Sequence, residues 1–222
     1  MSDDLLGLPD RRWVPAALAL NLHVGGYIHP SWFNSIPHGK LVSRLRTSPR
    51  SSAAVSRYLS EILDIPACAC DDFSSPATRL ALVDGATLER LFLYCGVALR
   101  SRELHLEIDG RRLREIRRGV GEDGYSFAFK RAPFLGRLPS FDFEPPIADP
   151  RLRYSLIGAR FCAEHVAAVS GGLLRCLSLK LPVSWAPTVA EARNCPADEA
   201  GLPSLLRKLI KEMFPQWFPL FA

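Results

Sequence analysis

Eighteen prolines spread through 222 residues limit how far any regular element of this chain can run. Proline lacks the N–H that a helix or ladder uses, and it pushes the residue before it out of the helical region. The tightest case lies near the start. The stretch Tyr27-Ile28-His29-Pro30-Ser31-Trp32-Phe33 crowds three large aromatics, a histidine and a proline together, with Gly25-Gly26 before it and Pro37 soon after. A helix interior and a long strand are both excluded there. Residues 13–39 therefore read as an irregular aromatic arm, after a loose segment 1–12. Residues 136–150 carry four prolines and no clear period, which predicts a linker or extended strap. Residues 67–76 read as a turn-rich connection and residues 182–203 as another loose crossing.

Between these interruptions the apolar spacing is helical. Val55, Tyr58, Leu59 and Ile62 recur at i, i+3, i+4 and i+7 within Ser51–Leu63, and Pro66 ends that run. Asp84 is placed to cap a helix with Leu88, Leu91, Phe92, Cys95 and Leu99 on one face. Residues 103–116 allow two readings. Leu104, Leu106 and Ile108 alternate up to Asp109-Gly110, a strong hairpin signal. Leu113, Ile116 and Val120 instead keep helical spacing, and the Arg and Glu between them favour helix over strand. Helix is the preferred reading. Residues 121–135 continue it, with Tyr125, Phe127, Phe129 and Phe134 as core candidates. Gly119, Gly121 and Gly124 cap or hinge consecutive helices. Asp149-Pro150 then looks like a cap and first-turn proline. Tyr154, Ile157, Phe161, His165 and Val166 follow in register, broken at Gly171-Gly172. Leu205, Leu206, Leu209, Ile210 and Met213 form a last amphipathic helix, stopped by Pro215 and Pro219. The expected fold is mainly α: an arm over 1–39 packed on a single helical domain over 40–222, which 136–150 could subdivide, with proline-rich straps and one segment that could close a short β-hairpin.

Composition narrows the function classes. Hydrophobic residues make up 48% and charged residues 23%, ordinary for a globular chain. The net charge is +5 and the pI about 9.0, and 23 of the 28 basic residues are Arg, interspersed with 23 acids. Charge this mild and mixed does not single out nucleic acid; acidic protein surfaces or a membrane surface suit it equally. The acidic N-terminus and the broken apolar run Val14–Leu22 do not resemble a signal peptide, and no run is long enough to span a membrane. The expected location is the cytoplasm, with Cys68, Cys70, Cys95, Cys162, Cys176 and Cys195 as free thiols. Cys95, Cys162 and Cys176 lie on apolar helical faces, as buried small hydrophobes do.

Catalytic and metal-binding patterns are weak. His23, His29 and His38 share no helix face, and Cys68-x-Cys70 lacks a second pair. Glu164-His165 is not a metalloprotease motif, and His165 reads as a packed or hydrogen-bonded histidine. Ser170-Gly171-Gly172 resembles a nucleophile elbow only in composition. The glycines of 119–124 lack a preceding strand and a Lys-Ser/Thr pair, and the acids among them would repel phosphate. No catalytic, cofactor or metal residue is assigned. A dense Arg cluster remains: Arg100, Arg102, Arg111, Arg112, Arg114, Arg117 and Arg118. It reads either as a solvated helix face with local ion pairs or as a contact surface for an acidic partner, and Arg111, Arg112, Arg114, Arg117 and Arg118 are the candidate docking residues. Nucleic acid ranks third, because aromatics are not interleaved with these arginines. Trp217 and Phe218 are a second candidate contact. The alternative for Phe214, Trp217, Phe218 and Phe221 is that they close the core, and a membrane-surface helix carrying Arg207, Lys208 and Lys211 is a third reading.

With these pieces placed, the chain resembles the SctK/YscK-like accessory proteins of the type III secretion sorting platform. The likeness lies in "YIHPSWF", in "IDGRRLREIRRGVGEDGYSFAFKRAP" (108–133) and in "FPQWFPLF". It implies a non-enzymatic cytoplasmic adaptor at the inner-membrane face, linking the ring's cytoplasmic domains to the pods built on a C-ring-like protein. On that reading Tyr27, His29, Pro30, Trp32 and Phe33 form a structural clasp. A basic nucleic-acid-binding regulator, or an enzyme with an unrecognised pocket, are the readings from other classes.

Overall fold

The computed structural model describes residues 13–66, 72–136, 138–192 and 201–221, so Cys68, Cys70 and Cys195 lie outside the described residues. The helices in chain order are α1 Val14–Leu22, α2 Val24–Tyr27, α3 Gly39–Leu45, α4 Ser52–Ile62, α5 Pro76–Arg79, α6 Gly85–Leu99, α7 Ser101–Leu106, α8 Gly110–Lys130, α9 Pro150–Val169, α10 Gly171–Leu179, α11 Ala186–Glu191, α12 Gly201–Met213 and α13 Phe218–Phe221. Among the described residues there is no strand. The fold is mainly α, as the spacing predicts.

Two helices organise the rest. Residues 91–98 of α6 and 154–166 of α9 are buried on every side, as befits helices at the centre of a bundle. They cross backbone against backbone at two glycines. A Cβ on Gly96 would lie 1.9 Å from the Tyr154 carbonyl oxygen, and one on Gly158 would lie 1.9 Å from that of Phe92. Cys95 and Cys162 face each other across the same crossing, Sγ to Sγ 4.0 Å apart and fully buried. Helices α5, α8, α10 and α11 pack around α9, and α12 packs on α6. One apolar cluster runs from Ala17 in the arm to Phe221 near the C-terminus.

The helix starts follow from local chemistry. Asp84 accepts from the Thr87 N–H, Asp149 from Leu152 and Ser170 from Leu173, each filling one of the donors that a helix N-terminus leaves open. The hairpin allowed by Asp109-Gly110 does not form. Asp109 instead caps α8, its Oδ1 accepting from the Arg111 N–H at 2.8 Å. Gly121, at φ 81°, hinges α8 into two parts, a conformation open to glycine at no steric cost.

Four expectations need correction. Residues 13–39 are not irregular but a chain of short helical pieces, α1, α2 and a 3-10 turn Pro30–Asn34, with α3 beginning at Gly39. Pro15 and Pro30 sit at first helical turns, where the missing N–H costs nothing, while Pro37 lies in the turn before α3. Residues 183–191 are likewise helical, a 3-10 turn Val183–Trp185 leading into α11. Phe134 is 84% exposed, because the 3-10 turn Ala132–Leu135 directs Ala132 and Leu135 inward instead. Ile62 is partly exposed at the end of α4, while Val55 and Leu59 are buried.

Candidate protein-binding surfaces

Helix α8 displays the Arg cluster. Ile116 and Val120 are buried and Leu113 is half-buried, so this stripe faces the body. At 100° per residue Arg111, Arg114 and Arg118 fall on the opposite side, with Arg112 and Arg117 on the flanks. All five are exposed. Much of the local acid is already engaged: Arg111 meets Glu115 at 3.3 Å, Arg112 meets Glu107 at 3.1 Å, and Arg117 holds Glu122 through two bonds of 2.7 and 2.8 Å. The Arg117 guanidinium holds the Glu122 carboxyl below the usual carboxylate range. Arg114 and Arg118 form no ion pair with the described residues. The face thus combines both sequence-level readings: local i,i+4 pairing, and a surplus of unpaired guanidinium at its outermost positions.

The C-terminal end divides. Leu205, Leu206, Leu209 and Ile210 are buried, so the apolar side of α12 is used in the core and is not offered to a membrane. Phe214 is buried too, its ring 5.9 Å from that of Tyr94 with Arg90 over it, and Phe221 is buried with it. Trp217 and Phe218, the candidate contacts, are half-buried at the edge of this cluster.

The Tyr27–Phe33 stretch sits on the exit of α10. The His29 N–H donates to the Leu179 carbonyl at 2.8 Å, and Trp32 Nε1 donates to that of Leu181 at 2.9 Å. Ser31 Oγ accepts from the Val183 N–H at 2.8 Å. Two of these bonds fill carbonyls at or just past a helix C-terminus, where no intrahelical partner exists. Trp32 and Phe33 are buried, with Arg175 over the Trp32 ring and Arg46 over the Phe33 ring. His29 is the cap of its own 3-10 turn: its Nδ1 accepts from the Ser31 N–H, which leaves Nε2 4.0 Å from Glu89. Tyr27 lies half-buried against Cys176 and under the Lys180 ammonium.

Sequence reasoning passed over the buried charges. Arg160, on the fully buried part of α9, donates to Glu164 at 2.8 Å and to Glu191 at 2.9 Å. Their i,i+4 spacing was the available signal, but nothing local shows that the pair is buried. Lys180 is buried at the end of α10 and donates to the carbonyls of Ala81 and Val83. Burial pulls its pKa down to about 8. His165 is buried, its Nδ1 2.8 Å from the Phe161 carbonyl and its ring edge-on to that of Phe161.

Comparison with known proteins supplies a context for these surfaces. A family model described as bacterial type III secretion protein (HrpB4) matches residues 12–216. No curated protein matches the chain. Among solved structures, the cytoplasmic domain of the type III secretion sorting-platform protein PscK from P. aeruginosa superposes with a TM-score of 0.55. The two chains are 22% identical, and the match covers 89% of this chain and 96% of that one, a likeness of fold over nearly the whole length.

Proposed function

Because the chain belongs to the HrpB4 family of bacterial type III secretion proteins, we propose that it is a non-enzymatic adaptor of the sorting platform. In this reading it works in the cytoplasm, at the face of the inner membrane. It joins the cytoplasmic domains of the inner-membrane ring to the pods built around the C-ring-like protein. The single observation that carries the reading is the fold shared with a sorting-platform protein along most of both chains. Among the described residues no helix is long and apolar enough to cross a membrane. In this reading the chain is held at the membrane face through its partners.

The physical properties of the surface suit this role. The outward guanidinium groups of α8 offer planar donors to carboxylates, a geometry that Lys does not provide. Trp217 and Phe218 offer aromatic area at the edge of a well-packed cluster, where interface anchors are often found. The Tyr27–Phe33 stretch is a structural clasp in this scheme: its polar groups are used to close the end of α10, and its rings pack on the body.

Affinity capture of the tagged full chain from the cytoplasm of its native host, with mass-spectrometric identification, tests the reading. Recovery of the ring's cytoplasmic domain and of the pod protein is the expected result. Recovery of nucleic acid or of metabolic enzymes in their place would overturn it.

A further inference from the structure

A groove of about 720 Å³ runs between α7, the 3-10 turn Ala132–Leu135 and the proline-rich strap. Leu99, Pro133, Leu138 and Phe141 give it an apolar lining, and Arg100, Arg102 and His105 stand in the same wall. We propose that this groove is a docking site for an acidic peptide segment that carries apolar side chains. The proposal rests on the adaptor reading only in requiring that the chain bind protein partners, and it names a surface distinct from the outer face of α8.

Three observations point to that occupant. First, two of the most exposed large apolar side chains among the described residues stand next to the lining along the chain, on α7 and on the 3-10 turn that packs against it: Leu106 at 72% and Phe134 at 84%. Leu106 follows His105 and Phe134 follows Pro133, both in the lining. The apolar surface continues along α8, since the His105 ring lies 4.7 Å from that of Phe129, and Phe129 lies 4.6 Å from Tyr125. Exposed apolar groups this concentrated mark a contact site more often than a free surface.

Second, the charge is positive where it is unspent. Glu103, the acid of the lining, is held by Arg100 at 2.9 Å, and Glu144 on the adjoining strap lies between Arg100 and Arg153. Arg102 is exposed and forms no ion pair with the described residues. Lys208 adds a cation beside Gly136, with Nζ on the Leu135 carbonyl. Third, Arg100 Nε is a buried donor that lacks an acceptor among the described residues, in a residue of the groove wall. An acidic segment supplies carboxylates to Arg102 and the apolar area to cover Leu106 and Phe134. A bilayer surface matches the charge but cannot enter a concave groove, so the shape favours a peptide.

Selection of a random displayed-peptide library against the immobilised full chain tests this without presupposing a partner. The expected winners are rich in Asp and Glu with interspersed apolar residues. Their synthetic versions should bind the Arg102→Glu protein, and separately the Leu106→Ser/Phe134→Ser protein, about tenfold more weakly than the wild type; high salt should narrow the Arg102→Glu deficit, because screening removes the charge effect, and leave the Leu106→Ser/Phe134→Ser deficit in place. Because these side chains are exposed, the melting temperature should not move; Arg102→Ala, which adds no charge, should show a smaller loss in the same direction. The proposal falls if no peptide is selected, if the winners are neutral or basic, or if they bind the variants as well as the wild type. It falls equally if the variants lose binding to phosphatidylglycerol vesicles but not to peptide. Capture of ring and pod proteins by the groove variants at wild-type levels would remove the groove and leave the adaptor reading standing. Selected acidic peptides that need Arg102, alongside a wild-type protein that captures no secretion component, would do the reverse.

Discussion

Lys180 shows how a single residue can be bound up with the fold. Its stem comes off the end of α10, and its ammonium is enclosed by the Ala81 and Val83 carbonyls and the Tyr27 ring. Burial pulls the pKa down to about 8 from an ordinary 10.5, while Cys176 and Asp84 oppose the fall. The folded protein therefore releases this proton before the unfolded chain does. Below pH 8 both states hold it and the burial penalty is felt in full. Between pH 8 and 10.5 only the unfolded state holds it, so this group's contribution to stability rises with pH. Wild type should gain roughly 1–3 kcal/mol relative to Lys180→Met across that window, read by urea denaturation at stepped pH. Tyr27 and Cys176, both shifted upward by burial, act in the opposite sense but are present in both proteins. A difference that stays flat with pH would mean that the ammonium is better solvated than its enclosure implies.

At the level of the element, the α6–α9 crossing is the most constrained feature. Backbones approach this closely only where neither helix carries a Cβ, so Gly96 and Gly158 are required by sterics although glycine weakens a helix interior by about 1 kcal/mol. Gly158→Ala would place a methyl 1.9 Å from the Phe92 carbonyl oxygen and 2.8 Å from the Gly96 nitrogen, and backbone cannot yield as a flexible side chain can. Forcing the helices apart should cost about 3 kcal/mol, near the upper end of overpacking penalties. That lowers the melting temperature of a chain this size by about 6–12 °C. Calorimetry of the variant checks this, and a shift within a degree of wild type would show that the helices slide apart freely. An exposed glycine with open space around it, Gly171, makes the control.

For the whole molecule the question is how a mildly basic body selects partners. Of the α8 arginines, Arg114 and Arg118 lie on the outermost side and have no ion pair with the described residues, whereas Arg112 is engaged by Glu107. Reversing Arg112 would set two carboxylates together and disturb the α7–α8 corner. Arg114→Glu/Arg118→Glu is therefore the cleaner probe. It should weaken binding to the ring's cytoplasmic domain by about 3- to 10-fold at low salt, and less at high salt, because exposed charges act mainly through screened steering and complementarity. Titration calorimetry at two ionic strengths reads this. Equal affinity for variant and wild type at both would make the α8 arginines a solvated face and turn attention to Trp217 and Phe218.

Periodicity and capping residues were enough to place α4, α6, α9 and α12, because apolar spacing at 3.6 residues and an Asp before the first turn are local properties of the chain. The same local logic located the break at Gly171-Gly172 and the hinge near Gly121. It misjudged the arm, where prolines that look like interruptions occupy helix first turns, and it misjudged Phe134, since no pattern over so short a turn tells which side faces the body. For 103–116 it favours helix over the hairpin that Asp109-Gly110 also allows, and the structure agrees, with Asp109 spending its carboxylate as the cap of α8. Whether Arg160, Glu164 and Lys180 are inside, why Gly96 and Gly158 are glycine, and how α7, a short turn and a strap enclose a groove all depend on contacts between residues far apart in sequence. Those contacts exist only once the helices have packed, and only the tertiary structure could decide them.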